Sequence, residues 1–349
     1  MKSEAIVEFG KPLQTIEMDT PTPKGKEVLL KITHSGVCHS DVHLHDGFFD
    51  LGGGNQLPVG AALNLPHVLG HEIEGEIVSF GPDVNDLEVG SSVVAYPWIG
   101  CGNCSTCESG DEHYCNSPQQ LGIQLPGGFS DYCLIPDSKY VLDYTGIRPG
   151  LAATYMCSGL TAFGALKKLV NITDDDHILI MGLGGVGMMG LQFARSLFNC
   201  KILAADIDPN KLQAARGAGA DEVYDTSDEL SLLKLIEDTK GGVKACVDFV
   251  GAEKTLQYSL DSTKKGGQIV VVGLFGGAFQ MPIPMFPLSA KSIGGSFVGN
   301  LDETKEMLDL VKSGKVDPIP VANRNMNEAT QTLDDLRDGA ITGRIVLQP

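Results

Sequence analysis

The chain has little positive charge and no long apolar run. Lysine and arginine number 26 against 44 aspartate and glutamate residues, which gives a formal net charge of −18 and a pI near 4.7. Proteins that bind nucleic acid need a basic face, so we expect no nucleic-acid partner. No uncharged apolar stretch approaches the roughly 20 residues that a transmembrane helix needs, so we expect no membrane span.

Features of secreted or repetitive proteins are also missing from the sequence. Nothing at the N-terminus resembles a secretory signal, and no internal repeat or low-complexity tract is present. We therefore expect the nine cysteines to lie in a reducing compartment, which predicts a cytoplasmic protein. The length of 349 residues and the hydrophobic content of 42% are typical of two packed domains.

Four of the cysteines are clustered in one short segment. Cys101, Cys104, Cys107 and Cys115 follow the spacing C-x-x-C-x-x-C-x7-C among several glycines. Four thiolates at this spacing can converge on one zinc ion and close its coordination shell, which is typical of a structural site. The alternative, a redox or disulfide cluster, is disfavoured because nothing indicates secretion.

A second group of metal-ligating residues is dispersed along the chain. Cys38 lies in GVCHSD, His71 in GHE and Cys157 in MCSGLT. Three protein ligands with an open fourth position are typical of a catalytic zinc site. Spacing alone leaves an alternative open for Cys157, because free cysteines are commonly just small buried residues.

A glycine-rich turn joins a predicted strand to a predicted helix. The apolar run His177–Met181 leads into Gly182-Leu183-Gly184-Gly185-Val186-Gly187, and a helical pattern continues to Phe198. This order predicts a dinucleotide site, in which the glycines allow the turn and the helix N-terminus faces the pyrophosphate. Asp206 ends the next strand, where a carboxylate accepts hydrogen bonds from the adenosine ribose and favours NAD over NADP. The alternative is that Asp206 only ends a strand.

The order of predicted elements indicates two kinds of sheet. The N-terminal part contains short strands broken by glycine and proline, predicted at residues 5–9, 27–33, 75–80 and 92–96. From His177 onward, strands alternate with helices, which predicts an α/β fold with a doubly wound parallel Rossmann sheet. The stretch 47–66 is rich in glycine, and we expect it to be a loop that borders the cleft between the units.

Taken together, these residues resemble the zinc-containing medium-chain alcohol dehydrogenase family over essentially the whole chain. The resemblance implies a discontinuous, β-rich, GroES-like catalytic domain. Its predicted parts are residues 1–152, with a structural zinc lobe at 97–116, and a return segment at 291–349. The NAD-binding Rossmann domain is expected at 153–290. Members of this family are often tetramers, so we expect a homo-oligomer, a tetramer or a dimer.

The family also implies roles for individual residues. Cys38, His71 and Cys157 would bind the catalytic zinc, with Glu72 beside it as an alternate ligand. Asp41 would orient His71, while Ser40 and His43 would form a proton relay. Backbone and side-chain contacts to the cofactor, besides those of the glycine turn and Asp206, are implied for His39, Lys211, Val272, Leu274, Val298 and Arg344. The alternative for His43 is an ordinary loop histidine, and Lys211 and Arg344 are cations of a kind that is usually exposed.

The implied reaction is reversible hydride transfer between an alcohol and NAD+, with two zinc ions per chain. Trp98, at the position of an aromatic lining residue in the family, predicts together with Phe49 an apolar pocket for a primary, secondary or aryl alcohol. The alternative for Trp98 is a core residue packed away from the cleft. The alternative functions are a polyol or sugar dehydrogenase, a zinc-free quinone or enoyl reductase, and a non-catalytic zinc and nucleotide binding protein.

Overall fold

The structure, a computed structural model, describes residues 1–60 and 63–349. One unit is rich in strands and takes residues from both ends of the chain. Its strands are β1 (Lys2–Ile6), β2 (Gln14–Glu17), β3 (Val28–Gly36), β4 (Phe48–Gly52), β5 (Asn55–Pro58), β6 (His67–Val68), β7 (Glu72–Phe80), β8 (Ser92–Ala95), β9 (Tyr132–Ile135), β10 (Val141–Asp143), β17 (Val321–Asn325) and β18 (Arg344–Gln348).

The other unit alternates strands with helices. Its elements are β11 (His177–Met181), α5 (Gly185–Leu197), β12 (Lys201–Asp206), α6 (Pro209–Gly217), β13 (Glu222–Asp225), α7 (Ser231–Asp238), β14 (Val243–Asp248), α8 (Glu253–Ser262), β15 (Thr263–Val271), α9 (Met285–Ser289) and β16 (Ser292–Gly295). The remaining helices are α1 (His39–Asp46), α2 (Ser105–Glu108), α3 (Leu151–Thr154), α4 (Leu160–Lys167), α10 (Leu301–Lys312) and α11 (Ala329–Arg337).

The main sheet of the first unit is completed by the C-terminal strand. Its order is β10-β8-β7-β3-β18-β17, with β9 also paired to β3. Strand β18 runs antiparallel to β3, with Val346 opposite Gly36. Residues 344–347 are buried, because this strand lies inside the sheet. The predicted discontinuous, β-rich unit is therefore confirmed.

The second unit is a parallel sheet with the order β13-β12-β11-β14-β15-β16. The strand β11 is buried along almost its whole length, as expected for a strand covered by helices on both faces. The chain builds outward from β11 to β13 and then returns to β14 on the other side. This reversal leaves a crevice at the carboxyl ends of β11, β12 and β14, where ligands bind in doubly wound folds. No helix in the described part of the chain is long and apolar enough to cross a membrane.

Two expectations about elements were wrong in detail. The predicted loop 47–66 contains a hairpin of β4 and β5, with Phe49 opposite Leu57, while Ala61 and Ala62 lie outside the described residues. Its turn is made by Gly53 and Gly54, which have positive φ like Gly52 at the end of β4, and this run of glycines is why the sequence predicts a loop. In addition, β16 extends the parallel sheet past residue 290, the predicted end of the NAD-binding domain.

Candidate active site

The three dispersed ligands are brought together by two neighbouring strands and one irregular helical turn. Strands β3 and β7 pair with Gly36 opposite Glu72, so Cys38, just after β3, comes close to His71, just before β7. Cys157 lies in a π-helical turn, Tyr155–Gly159, between α3 and α4. Such turns are rare and occur frequently at functional sites.

The geometry of this triad fits a zinc ion. The Sγ atoms of Cys38 and Cys157 are 3.9 Å apart, and the three candidate ligand atoms all lie within 4.8 Å of one another. Zinc–sulfur bonds of about 2.3 Å in a tetrahedron place neighbouring sulfurs about 3.8 Å apart. The Nε2 atom of His71 is buried and has no hydrogen-bond partner among the described residues. A buried nitrogen of this kind needs a partner, and a metal ion bound by the two sulfurs would provide one.

The electrostatics of the triad favour a cation. Burial opposes the charged form of His71, but Asp41 and Cys38 outweigh burial and raise the pKa of His71 well above its ordinary value. The neighbouring Cys157 lowers the pKa of the Cys38 thiol well below its ordinary value, again against the effect of burial. Without a metal, the surroundings therefore favour a thiolate at Cys38 and a proton on His71. A zinc ion binds a neutral imidazole, so it would replace that proton at Nε2 and provide the positive charge that Asp41 and Cys38 favour.

Asp41 orients two of the three ligands. Its Oδ2 accepts a hydrogen bond from the Cys38 backbone N–H at 2.9 Å, and its Oδ1 lies 3.2 Å from Nδ1 of His71. A carboxylate on Nδ1 fixes the ring so that Nε2 is the ligating atom. Asp41 is fully buried, so this carboxylate is held in place from all sides.

Glu72 is also buried beside the triad, where it is hydrogen bonded to two other residues. Its carboxylate accepts hydrogen bonds from the backbone N–H of Ser158 at 3.0 Å and from its hydroxyl at 2.7 Å. The Arg344 guanidinium donates to the second oxygen. Burial raises the pKa of Glu72, and Arg344 opposes that shift. Sequence reasoning missed Ser158, although its place next to Cys157 was a usable signal.

The clustered cysteines form a second, separate group. The Sγ atom of Cys104 lies 3.5 Å from that of Cys107 and 3.8 Å from that of Cys115, and the Sγ atoms of Cys101 and Cys107 are 4.0 Å apart. These separations suit four thiolates around one zinc ion. All nine cysteines are free of disulfides. The group can bind a metal but leaves no open position for a substrate.

The glycine turn forms the crevice at the end of β11. Gly182 has a φ of 86°, and a side chain there would collide with Val250. A Cβ atom on Gly187 would collide with the carbonyl of Gly182, so the close packing of α5 on the turn requires glycine. A Cβ atom on Gly184 would have no neighbour within 4 Å in the described structure. That opening faces the N-terminus of α5, where free N–H groups can bind a pyrophosphate.

Asp206 lies at the end of β12 beside this turn and is bound to backbone. Its Oδ2 accepts a hydrogen bond from the Leu183 N–H at 2.6 Å, and its Oδ1 accepts bonds from the N–H groups of Ile207 and Asp208 at 2.8 and 3.0 Å. A carboxylate has about four lone-pair sites, so it can still accept a ribose hydroxyl. Sequence reasoning did not foresee that Asp206 also stabilises the turn.

The cationic side chains that were predicted to contact the cofactor lie near one another. Burial lowers the pKa of His39 below its ordinary value, and Arg344 and Lys211 also lower it through their positive charge. Arg344 is buried, and its methylene groups lie directly over Gly185. The expectation that such a cation is exposed was wrong for Arg344, because Glu72 provides an anionic partner inside the molecule.

The predicted relay residues, Ser40 and His43, both lie on α1. The Oγ of Ser40 is 4.0 Å from the Sγ of Cys38. The ring of His43 lies 4.7 Å from that of Phe49 and close to the backbone of Leu274. Burial lowers the pKa of His43 below its ordinary value. His43 thus contacts both the hairpin and the end of the parallel sheet.

An aromatic wall lies beside the triad. Trp98 is almost fully buried and donates a hydrogen bond from Nε1 to the Met156 carbonyl at 2.9 Å. Its ring centroid is 5.5 Å from the ring of His71 and 5.5 Å from that of Phe297, which it meets edge to face. The side chain of Phe297 was not predicted to line the site. Trp98 therefore lies next to a candidate zinc ligand as well as in the core.

Residues 24–145 match the alcohol dehydrogenase GroES-like domain family, and residues 185–313 match the zinc-binding dehydrogenase family. An NAD-dependent alcohol dehydrogenase of Saccharolobus solfataricus is 36% identical, and the match covers 100% of both chains. The chain belongs to the zinc-binding alcohol dehydrogenase family. Among solved structures, this family member resembles an alcohol dehydrogenase of Aeropyrum pernix, with 29% identity, 100% of both chains covered and a TM-score of 0.90. It also resembles a D-arabinose dehydrogenase of Sulfolobus solfataricus, with 25% identity, 100% of both chains covered and a TM-score of 0.84.

Proposed function

We propose that this chain is an NAD-dependent zinc alcohol dehydrogenase that interconverts an apolar alcohol with its aldehyde or ketone. The observation that carries the proposal is the buried Nε2 of His71, which has no hydrogen-bond partner among the described residues, together with the mutual distance of at most 4.8 Å between the ligand atoms of His71, Cys38 and Cys157. Three ligands with a fourth position left for a reactant are typical of catalytic zinc. The glycine turn of β11 lies at the ligand crevice of the same molecule, as hydride transfer to NAD+ requires.

Each residue of the site has a proposed task. Cys38, His71 and Cys157 hold the catalytic zinc, and Asp41 orients His71. Zinc, when bound, acts as a Lewis acid on the alcohol or carbonyl oxygen. Ser40 and His43 move the hydroxyl proton toward solvent, and the lowered pKa of His43 keeps its ring neutral and able to accept that proton.

The cofactor is proposed to lie along the crevice from β12 to the triad. Asp206 accepts the adenosine ribose hydroxyls, while the glycine turn, Lys211 and His39 contact the phosphates and ribose. The nicotinamide end lies against backbone of Val272, Leu274 and Val298. Arg344 acts at the pyrophosphate side of Gly185, and its contact with Glu72 links this region to the triad.

An apolar alcohol is the proposed substrate because the walls near the triad are aromatic. Trp98, Phe297 and Phe49 provide carbon surface, whereas a polyol needs several fixed polar partners. A sugar or polyol is the second candidate, since the solved D-arabinose dehydrogenase has a similar fold. NADH formation with benzyl alcohol, a medium-length aliphatic alcohol and sorbitol decides between them. We expect kcat/KM to be lowest for sorbitol, and a preference for sorbitol would contradict the proposal.

The cellular location, oligomeric state, zinc content and domain division of the enzyme are also proposed. We propose a cytoplasmic homo-oligomer, a tetramer or a dimer, with two zinc ions per chain. In the proposed domain division, residues 1–152 belong to the catalytic domain, and the NAD-binding domain begins at 153 and ends after β16 rather than at 290, because β16 belongs to the parallel sheet. The chain then returns to the catalytic domain. The nine unpaired cysteines suit a reducing compartment. The apolar side chains of Ile283, Phe286 and Leu288, in the segment that precedes the edge strand β16, are exposed, as expected for a surface covered by another copy. Light scattering after gel filtration gives the number of copies.

A further inference from the structure

The segment that follows β16 contains a strained backbone conformation, which must be stabilised by contacts with surrounding residues. Val298 has a φ of 39° and is buried. A β-branched residue in the left-handed region is a true outlier, because its side chain crowds the backbone. Such conformations persist only where the surrounding structure fixes them, and they are concentrated at functional sites.

Two neighbouring contacts fix the conformation of Val298. Its carbonyl lies close over Gly164 of α4, where an added Cβ atom would be 2.5 Å from the Val298 oxygen. The next carbonyl, that of Gly299, accepts a hydrogen bond from the Tyr96 hydroxyl at 2.9 Å. Immediately afterwards, Asn300 caps α10 by accepting a bond from the Glu303 N–H at 2.8 Å. The strained Val298 is therefore held by the close contact of its carbonyl with Gly164 and by the hydrogen bonds of the next two residues, Gly299 and Asn300.

Tyr96 is well suited to hold this segment. It directly follows β8, is fully buried, and is stacked on Tyr140 with 6.1 Å between ring centroids. Burial raises the pKa of Tyr96, so its hydroxyl stays protonated and keeps donating to Gly299. Two residues further on, Trp98 contacts Phe297. The segment just after β8, which leads to the cysteine lobe, thus contacts both neighbours of Val298.

We propose that Tyr96 is a positioning residue for the nicotinamide end of the cofactor. Its hydroxyl fixes the carbonyl of Gly299 and so keeps the Val298 backbone in the one conformation that matches the nicotinamide. The proposal rests on the proposed function, because the segment meets a nicotinamide only if NAD binds in this crevice. It assigns a cofactor-specific task to a residue that lies outside the crevice itself.

The test compares two ligands that differ in the nicotinamide. Titration calorimetry gives the Kd of NADH and of ADP-ribose for wild type and for Tyr96→Phe. We expect the Kd of NADH to rise at least about fivefold, the scale of one hydrogen bond, while that of ADP-ribose changes less than about twofold. Tyr144→Phe is the matched control. It removes a buried tyrosine hydrogen bond of 3.1 Å to Glu74 in the same unit and should leave both Kd values within about twofold.

The Gly164→Ala variant approaches the same segment from the other side. Its added methyl group would collide with the Val298 carbonyl. The variant should therefore also weaken the binding of NADH more than that of ADP-ribose. It provides the test of the segment if Tyr96→Phe does not fold. Unchanged NADH binding in the folded variants, or an equal loss of both ligands, overturns the role of Tyr96. A wild-type protein that binds neither ligand overturns the proposed function as well, which is a distinguishable result.

Discussion

At the scale of single residues, His43 gives the proton relay a defined pH dependence. Burial lowers its pKa, so the ring stays neutral and can accept a proton at lower pH than an exposed histidine. In wild type, alcohol oxidation should become slower when His43 is protonated. Because the pKa of His43 is lowered, this should occur below about pH 6.5. In His43→Ala, oxidation should be slower and should depend more steeply on pH, because only solvent bases remain to take the proton. Initial rates of NADH formation across pH measure both effects.

Added imidazole provides the control for this prediction. It should restore part of the rate of His43→Ala and leave wild type unchanged, since it replaces a missing base. A variant with the rate and pH profile of wild type would mean that His43 takes no part in proton transfer and only packs on Phe49.

Trp98 is expected to determine which alcohols fit. Its ring lies 5.5 Å from the rings of both His71 and Phe297, so Trp98→Ala opens space beside the triad. The variant should shift kcat/KM toward bulkier alcohols, as a series from ethanol to substituted benzyl alcohols measures, and it should retain its zinc. The lost bond to the Met156 carbonyl and the lost packing should also lower stability by about 3–5 kcal/mol. An unaltered order of alcohols would contradict the apolar pocket.

Burial of a histidine is hard to predict from sequence alone. Four histidines outside the candidate site, His34, His45, His67 and His113, are buried. His34 lies 2.8 Å from the buried carboxylate of Glu74, which is far away in the sequence. A polar side chain can be buried when it has a partner, and that partner is set by strand pairing rather than by the local sequence. Metal ligands were easier to predict because their spacing is local or their motifs are distinctive.

At the scale of elements, we expect the end of β12 to determine which dinucleotide binds. Asp206 holds the Leu183 N–H of the glycine turn while its charge repels a 2′-phosphate. Asp206→Gly should therefore weaken NAD binding and lower the ratio of kcat/KM for NAD+ over NADP+ by at least about tenfold, or 1.4 kcal/mol. Steady-state kinetics with both cofactors measure the ratio.

A nearby carboxylate serves as the control. Asp208 caps α6 by accepting a hydrogen bond from the Asn210 N–H at 2.8 Å, and Asp208→Asn removes its charge but keeps the cap. That variant should retain most of the preference for NAD+. A wild-type enzyme that prefers NADP+ would contradict the role of Asp206.

Elements with strong patterns were predictable, and those built from glycine were not. The strand β11 was predicted with its exact bounds, and β12 was predicted to end at Asp206, as it does, because both are mostly apolar runs between turns. The strand β16 has the sequence SIGG and is largely exposed, so its place is set by pairing with β15 and not by its own composition. The β4 hairpin was missed for the same reason.

At the scale of the whole molecule, the candidate site is formed by parts that are distant in the sequence. The hairpin of β4 and β5 touches the loop after β15, where a Cβ atom on Gly52 would lie 2.8 Å from backbone of Gly277. Arg344, in the last strand, joins Glu72 of the second ligand motif. Sequence reasoning found the motifs, but the contacts between them depend on how both ends of the chain fold into one unit.

Two zinc sites with different roles should be separable in the intact protein. We expect two zinc ions per 37.0 kDa chain by elemental analysis of freshly purified protein. Cys107→Ser removes one of four thiolates that fold the lobe, so it should lower Tm clearly. Cys38→Ser should leave Tm near that of wild type, reduce zinc to one ion per chain and abolish turnover. Cys200→Ser, a buried cysteine outside both groups, should keep two zinc ions and activity.

The two variants test the assignment only as a pair. A general loss of folding would lower Tm, zinc and turnover together in both, whereas separate roles require that Cys107→Ser mainly affects stability and Cys38→Ser mainly affects chemistry. The orienting bond between Asp41 and the Cys38 backbone does not use the Cys38 sulfur, so it remains in Cys38→Ser and keeps α1 in place. One zinc ion or none in wild type, or a Cys38→Ser protein that turns over alcohol at the wild-type rate, would contradict the two-site interpretation.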